Sequence, residues 1–211
     1  MRLAAKLLAG TAASLLLGWS QGAQATLLSS LEGTTQSIAG LTFEFTKVEE
    51  TGGIVLSDVD LTLVADSLGA GFDLTPLAAG ALSSSNALKD LKLEFTVSSD
   101  AGVDAVGNHL TATASGVGSS VSVSELIDEA PAVDAGVFVA WFGGQPDNVQ
   151  PLGGTLHTLT ITKNIVIAGG TDGEAATEKL AQRFRVVPEP ATGLMLLLGL
   201  SGIAYNGRSR H

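Results

Sequence analysis

The sequence predicts an all-β fold, with two sheets packed face to face as a β-sandwich. The 211 residues include 26 glycines and only 5% aromatic residues, which suits short strands joined by tight turns. Several segments alternate apolar and polar residues with a period of two, as half-buried strands do. About eight such strands need a second sheet or a closed barrel to cover their apolar faces. We therefore expect one Ig-like or jelly-roll-like sandwich over residues 26–186.

The N-terminal residues 1–25 have the features of a signal peptide. Two basic residues precede an uncharged stretch, residues 7–19, that is too short to cross a bilayer. Ala23 and Ala25 then supply the small side chains that signal peptidase requires. We predict cleavage before Thr26, so that the mature chain begins there.

Two segments with alternating apolar residues follow and are predicted as the first strands, over 41–46 and 55–63. Gly52 and Gly53 separate them and suggest a hairpin connection. The predicted core faces consist of Leu41, Phe43 and Phe45 in the first strand and of Val55, Val59, Leu61 and Leu63 in the second.

The rest of the domain is predicted from the same alternation. Residues 68–90 are rich in Ala, Ser and Leu and are interpreted as a loop or a short helix. Residues 171–174 resemble a helix capping box, although Gly173 weakens the signal, so a short helix over 175–182 stays open. The other predicted strands cover residues 91–98, 109–115, 119–125, 136–142, 155–167 and 181–187.

The charge of the domain argues against binding to nucleic acid. Residues 26–190 hold seven basic and all 21 acidic residues, a formal charge of −14. Such a surface repels phosphate backbones and anionic lipids and attracts cations. The chain has no cysteine, so neither a disulfide nor a thiolate metal site contributes to the fold.

The sequence contains none of the common catalytic motifs, such as a nucleophile elbow, a zinc-binding helix or a phosphate-binding loop. His109 and His157 are the two histidines of the predicted domain, and both lie on predicted strands between threonine and leucine residues. We interpret them as structural residues. The prediction is therefore a non-catalytic domain without a cofactor.

Four aspartates are the candidate metal ligands. Asp58 and Asp60 are predicted on one strand face, and Asp100 and Asp104 on a turn whose oxygens could converge on calcium. The alternative is an ordinary solvated acidic surface, because aspartate is common in turns.

Residues 137–142 are apolar at both parities, unlike the amphipathic strands, and run into a polar loop at 143–148. Two interpretations remain open. This segment is either a central strand covered on both faces, or Trp141 and Phe142 form a stacking platform for a sugar beside the loop.

The C-terminal residues 187–211 form a separate segment. An uncharged, mostly apolar stretch over 191–207 follows the two prolines, and a helix over 191–205 would reach only about 22 Å, which is marginal for a bilayer. The prolines prevent this helix from extending back into the domain, and the basic end favours the cytoplasmic side. The motif residues are Val187, Pro188, Glu189 and Pro190, and the basic end is Arg208 and Arg210.

This order of VPEP, short apolar helix and basic end resembles the PEP-CTERM sorting signal of many exported proteins of Gram-negative bacteria. The resemblance implies that exosortase, a membrane cysteine protease, recognises and removes the tail. It also implies a link to exopolysaccharide and biofilm matrix. The expected path is export, transient anchoring in the inner membrane by the C-terminal helix, and release to the cell surface or the extracellular space.

Three functional classes follow for the domain between the two processing segments. The first is a structural component of the cell surface or matrix. The second is a carbohydrate- or calcium-dependent binding or adhesion module, and the third is a secreted enzyme. An exposed aromatic side chain beside 143–148 would favour sugar binding, whereas a pocket that joins a histidine to a carboxylate would favour an enzyme.

Overall fold

A computed structural model describes residues 25–128, 137–141 and 147–187 of the chain. These residues form eleven strands and two short 3-10 turns at Leu28–Ser30 and Leu56–Asp58. The predicted all-β class is confirmed. The strands are β1 Ala25–Leu27, β2 Thr35–Ile38, β3 Leu41–Thr51, β4 Val59–Asp66, β5 Gly69–Pro76, β6 Ser83–Ser85, β7 Leu88–Val117, β8 Ser120–Asp128, β9 Val137–Trp141, β10 Asp147–Ala168 and β11 Thr171–Val186.

The long strands β7 and β10 belong to both layers of the sandwich. The first half of β7 pairs with β3 and with the second half of β10, in a layer ordered β2-β3-β7-β10-β8-β9 that we call the β3 sheet. The second half of β7 pairs with β11 and with the start of β10, in a layer ordered β1-β4-β5-β11-β7-β10 that we call the β5 sheet. All these pairings are antiparallel. The two sheets are therefore one continuous ladder folded over on itself.

Five phenylalanines join the two sheets at the centre of the core, among them Phe43, Phe72, Phe95 and Phe184. Phe43 of β3 lies 5.8 Å from Phe72 of β5 and 5.6 Å from Phe184 of β11, measured between ring centroids. Phe95 of β7 lies 5.4 Å from Phe72 with the rings nearly perpendicular. All five side chains are fully buried. Such pairs contribute about 0.5–1.5 kcal/mol each beyond the burial of their surface.

Strand β7 bends from one sheet into the other at residues 100–104, where the sequence predicts a turn. Instead of ending there, β7 continues through an irregular stretch, and its pairing with β10 and β11 shifts register near Val103. Gly102 has a φ of +82°, and a Cβ atom there would lie 2.2 Å from the Thr155 side chain. The predicted turn is wrong because the ladder resumes beyond the bulge, so 91–98 and 109–115 are parts of one strand.

The predicted hairpin at Gly52 and Gly53 is also wrong. Both glycines have positive φ, but they lead from β3 in one sheet, through the second 3-10 turn, to β4 in the other. The face of the second strand begins only at Val59, because Val55 precedes it and is 51% exposed. The buried residue in this connection is Ile54.

Two further segments are strands where the sequence left other structures open. Residues 68–90 contain β5 and β6 rather than a helix, and β5 pairs with both β4 and β11. The candidate helix at 175–182 lies within β11, which pairs with β5, β6 and β7. Partner strands on both sides satisfy the backbone groups of this segment, and this outweighs its local helix preference.

Candidate functional site

The four candidate calcium ligands lie on three elements, with Asp100 and Asp104 both on β7. Asp58 ends the second 3-10 turn rather than sharing a strand face with Asp60, which lies on β4 and accepts a 2.7 Å hydrogen bond from Thr62. Asp104 forms two hydrogen bonds with Arg185, with Nε 2.6 Å from Oδ1 and one terminal nitrogen 3.1 Å from Oδ2. Within the described ranges, no group of three or more histidine, aspartate or glutamate side chains could hold a metal ion.

Asp100 and His157 line a cavity of about 380 Å³ together with residues of β3 and β10. His157 Nδ1 donates a 3.1 Å hydrogen bond to the carbonyl oxygen of Ser99. The hydroxyl of Ser99 is buried and has no hydrogen-bond partner in the described part of the chain. The imidazole is thus oriented by the backbone rather than by a carboxylate, which is not the arrangement of a base that activates a serine.

Trp141, one of the two residues of the candidate sugar platform, is the last residue of β9, which ends the strand order of the β3 sheet. Trp141 is opposite Ser122 in the pairing of β9 with β8. Among the strands that the structure describes, β9 is therefore at the edge of the sheet, and the prediction of a central strand is wrong. Phe142 and residues 143–146 lie outside the described residues.

A buried ionic cluster, missed from the sequence, lies between the sheets. Lys163 of β10 and Glu125 of β8 are directly opposite each other in the β3 sheet. Both face the interior, in line with apolar neighbours such as Ile161 and Ile165 of β10. Asn108 faces them from the second half of β7, in the β5 sheet. We call Asn108, Glu125 and Lys163 the Lys163 cluster.

The three side chains of the Lys163 cluster contact one another. Asn108 Nδ2 donates a 2.5 Å hydrogen bond to Glu125 Oε2, and Lys163 Nζ donates to Asn108 Oδ1. The Nζ atom also lies 3.5 Å from Glu125 Oε1, an ion-pair distance without hydrogen-bond geometry. The side chains of Lys163 and Glu125 are 0% exposed. The amine, the amide and the carboxyl group are therefore enclosed together.

Burial dominates the electrostatics of this cluster. Loss of hydration lowers the pKa of Lys163, and the adjacent Glu125 opposes that shift. A buried ammonium ion is costly even when it is paired, because the attraction must replace the hydration of both charges. The surroundings of Lys163 thus favour the neutral amine more than water does.

Gln182 extends the polar region along the β5 sheet. It is opposite Asn108 in the pairing of β11 with β7 and is fully buried. Neither its amide oxygen nor its amide nitrogen has a hydrogen-bond partner within the described residues. Burying an amide without hydrogen-bond partners costs free energy, so Gln182 lowers the stability of the folded domain.

The sequence contained a signal for the Lys163 cluster. Lys163 interrupts a series of isoleucines at alternate positions of β10, and Glu125 does the same among Val121, Val123 and Ile127 of β8. A charged residue at the apolar parity of a strand indicates a buried polar contact. The partner could not be identified, because Asn108 comes from the other sheet.

A second ionic cluster ties β11 to β5 on the outer face of the β5 sheet. Arg183 lies 2.9 Å from an Asp66 oxygen and 2.8 Å from an Asp73 oxygen, and it donates to the backbone carbonyl of Phe72. These contacts satisfy a guanidinium that is 6% exposed. The arrangement is that of a structural ion-pair network.

The two predicted processing segments lie mostly outside the described residues. Ala25 and Thr26 belong to β1, whereas Ala23 precedes the described range. Val187 donates its backbone N–H to the Gly102 carbonyl at 3.0 Å. The other predicted sorting residues lie beyond the described range: Pro188, Glu189, Pro190, Arg208 and Arg210. The ranges that the structure describes contain no helix with the length and apolar character needed to span a bilayer.

Comparison with solved structures gives distant matches, among them the following two. A structure of TmCBM61 in complex with beta-1,4-galactotriose has 11% identity and a TM-score of 0.34, covering 75% of this chain and 94% of that one. The enzymatically active domain of tailspike protein 4 from bacteriophage CBA120 has 11% identity and a TM-score of 0.28, covering 75% of this chain and 21% of that one. These scores are too low to indicate a ligand or an activity. No curated protein matches the chain.

Comparison with protein-family models gives a match at the C-terminal end of the chain. Residues 186–210 match the family model described as the PEP-CTERM protein-sorting motif. The matched region begins at the last residue of β11 and includes the two prolines and both arginines of the predicted tail. The resemblance found in the sequence is confirmed: the chain carries a PEP-CTERM protein-sorting motif, which indicates an exported protein.

Proposed function

We propose that this protein is a non-catalytic component of the cell surface or extracellular matrix. The observation that carries the proposal is the sorting motif at 186–210, which begins where the last strand of the sandwich ends at Val186. In this proposal, the domain and the motif are adjacent but separate units of the chain. A compact strand domain followed by a sorting motif fits a protein whose role is to be delivered and retained.

In this proposal, processing occurs in two steps. Signal peptidase removes residues 1–25 during export, and the apolar helix after Pro190 holds the chain in the inner membrane until exosortase cleaves near the motif. The released domain then associates with exopolysaccharide. Its formal charge is strongly negative, so cations or basic groups would mediate contact with an acidic polysaccharide.

The arrangement of the polar side chains supports a non-catalytic role. One cavity does bring together a histidine and a carboxylate, His157 and Asp100, but the imidazole donates to the Ser99 backbone carbonyl rather than to a carboxylate. The Lys163 cluster is closed to solvent, so an external substrate cannot reach it.

Replacement of both motif prolines tests the sorting step. The double variant Pro188→Ala, Pro190→Ala should stay in the membrane fraction at the larger, unprocessed size, because the rigid entry to the apolar helix is lost. Immunoblotting of membrane, surface and medium fractions checks this. Cells that lack exosortase provide the reference for the unprocessed form, and Pro76→Ala, at the end of β5, is the matched proline control.

Processing of the double variant at the normal rate would contradict the role of the motif. Equal release of the wild-type chain by cells with and without exosortase would contradict the role of the protease. A matrix role further predicts that the released domain sediments with exopolysaccharide and is freed when the polysaccharide is digested.

A further inference from the structure

The Lys163 cluster brings together a primary amine, a carboxamide and a carboxyl group in a site without solvent access. The amine contacts the oxygen of the Asn108 amide, which places Nζ beside the carbonyl carbon Cγ. We propose that Lys163 and Asn108 become joined by an intramolecular amide bond between Nζ and Cγ, with Glu125 transferring the protons.

The reaction needs no co-reactant. The lone pair of the neutral Lys163 amine attacks Cγ of Asn108, and an N–C bond forms as the carbonyl π electrons move to Oδ1. When the carbonyl is restored, the bond from Cγ to Nδ2 breaks. The amine gives up one proton and Nδ2 gains one, so ammonia leaves and a secondary amide remains.

Glu125 lies where this proton transfer requires a carboxyl group. One of its oxygens accepts a hydrogen bond from Asn108 Nδ2, the nitrogen that leaves, and the other is 3.5 Å from Lys163 Nζ, the nitrogen that attacks. The same carboxyl group can therefore take a proton from the attacking amine and deliver it to the leaving nitrogen. If the pair starts as ammonium and carboxylate, the first step is transfer of that proton to Glu125.

Enclosure makes an otherwise slow reaction feasible. An amide hardly reacts with an amine in water, but fixed contact between two reacting groups can correspond to an effective concentration of about 10⁵ M or more. Burial also lowers the pKa of Lys163, which increases the fraction of the nucleophilic neutral amine. Hydration no longer competes for the three groups once the sheets have closed.

The bond would connect the two sheets. Lys163 belongs to the part of β10 in the β3 sheet, and Asn108 to the part of β7 in the β5 sheet. The chain has no cysteine with which to form a disulfide. The amide would supply a covalent link between the sheets, as a disulfide does in other proteins, but reducing conditions would not break it.

Mass spectrometry of the full-length chain after digestion at glutamate tests the proposal. Cleavage after Glu94, Glu125, Glu129 and Glu174 separates Asn108, on 95–125, from Lys163, on 130–174. We expect one branched species, lighter by about 17 Da than the sum of these two peptides, with fragment ions that locate the link at Lys163 and Asn108. Two separate peptides of unmodified mass from folded protein would overturn the proposal.

Variants assign the three roles. Lys163→Arg and Asn108→Ala should give only separate peptides, and Glu125→Gln should also prevent linkage while keeping a similar side-chain shape. Glutamate at 129 still separates the two peptides in Glu125→Gln. Lys92→Arg, at an exposed ion pair with Glu94, is the matched lysine control and should remain fully linked.

Folding of each variant is checked by circular dichroism, and Lys163→Met is added as an apolar substitute in case the arginine does not fit. Loss of ammonia that persists in Lys163→Met would identify cyclisation of asparagine instead of linkage and would overturn the proposal. A folded Glu125→Gln that links at the wild-type rate would overturn the assigned role of Glu125.

Discussion

Asp66 shows how one exposed carboxylate can contribute to stability through a buried partner. Its Oδ2 accepts hydrogen bonds from Arg183 Nε at 3.0 Å and from a terminal nitrogen at 2.9 Å. These bonds hold the pKa of Asp66 below its ordinary value. The side chain is 37% exposed, so solvent screening limits the contribution to about 1 kcal/mol or less.

Asp66→Asn should therefore lower stability at neutral pH and change its acid dependence. Because the folded pKa of Asp66 is depressed, its contribution is complete above the unfolded pKa of about 4 and is lost as the pH falls through the folded value. The difference between wild type and variant in urea midpoint should shrink below about pH 4. Urea denaturation at several pH values measures it.

Asp100→Asn is the matched control, since it removes one carboxylate at an exposed position. Its difference from wild type should stay small at every pH. If the gap between wild type and Asp66→Asn widened as the pH fell, the assigned direction of the Asp66 pKa shift would be wrong.

At the scale of elements, the bend in β7 is the feature that makes two sheets from one ladder. Gly102 is the residue that permits it, since its φ of +82° costs other residues about 1–2 kcal/mol and a Cβ atom at this position would lie 2.2 Å from the Thr155 side chain. The Gly102 carbonyl also accepts the last described backbone bond, from Val187. A side chain at this position would disturb both halves of the strand.

Gly102→Ala should reduce the free energy of unfolding by about 2–4 kcal/mol, from positive φ and from overpacking against Thr155. Gly53→Ala is a matched control with the same φ of +82° but no heavy atom within 4 Å of the added Cβ, so only the conformational cost applies. Removing the Thr155 side chain by Thr155→Ala should reduce the difference between the two variants. Equal losses for both glycines in urea denaturation would contradict a steric contribution from Thr155.

The sequence predicted the strand faces better than the connections between strands. Alternation correctly placed Leu41, Phe43 and Phe45 in the core, because burial of one face requires a period of two. It divided β7 in two because the bulge near Gly102 breaks the alternation without ending the ladder. It assigned only the end of β11, in the predicted strand 181–187, and left 175–182 open as a helix, since pairing with strands far along the chain decides that structure.

The sequence did not indicate which side chains the fold brings together, for a related physical reason. The sequence indicates aspartates as candidate metal ligands because aspartate commonly binds metal ions. In the structure, Asp104 accepts hydrogen bonds from Arg185, and Asp60 accepts one from Thr62. The Lys163 cluster depends on facing sheets, and its members are 17 and 55 positions apart along the chain. Sequence patterns could indicate that Lys163 and Glu125 are buried, but not which groups they meet.

At the scale of the whole molecule, the core formed by the described residues ends before Pro188 and the rest of the sorting motif. Every buried core residue that the structure describes lies between Leu28 and Phe184. Deletion of 188–211 should therefore leave the domain folded, with a melting temperature within about 2 °C of the full chain, as for other changes that remove little packing. Circular dichroism melting of the purified proteins measures this.

The matched control is deletion of 183–211, which also removes Arg183 and Phe184 and should abolish cooperative unfolding. Aggregation of the shorter deletion, 188–211, would mean that the tail belongs to the folded core and would contradict its separation from the domain.

The proposed Lys163–Asn108 bond would also act at this scale. The two residues are 55 positions apart, and closing a loop of that length in the unfolded chain contributes about 4 kcal/mol in the chain-entropy treatment of cross-links. That is comparable with the net stability of a small domain. The linkage would offset the cost of placing Lys163, Glu125 and Gln182 in the interior.

The position of β11 determines how the domain responds to mechanical tension. The chain leaves the sandwich directly from this strand, which is hydrogen-bonded to β5 on one side and to β7 on the other. A pull from beyond Val187 acts along β11, so the bonds of both ladders must shear together. The three-residue β1, paired with β4, is instead released one bond at a time when it is pulled outward. In the proposed membrane-held stage, before cleavage near the motif, any load would thus enter the domain through a strand that is paired on both sides.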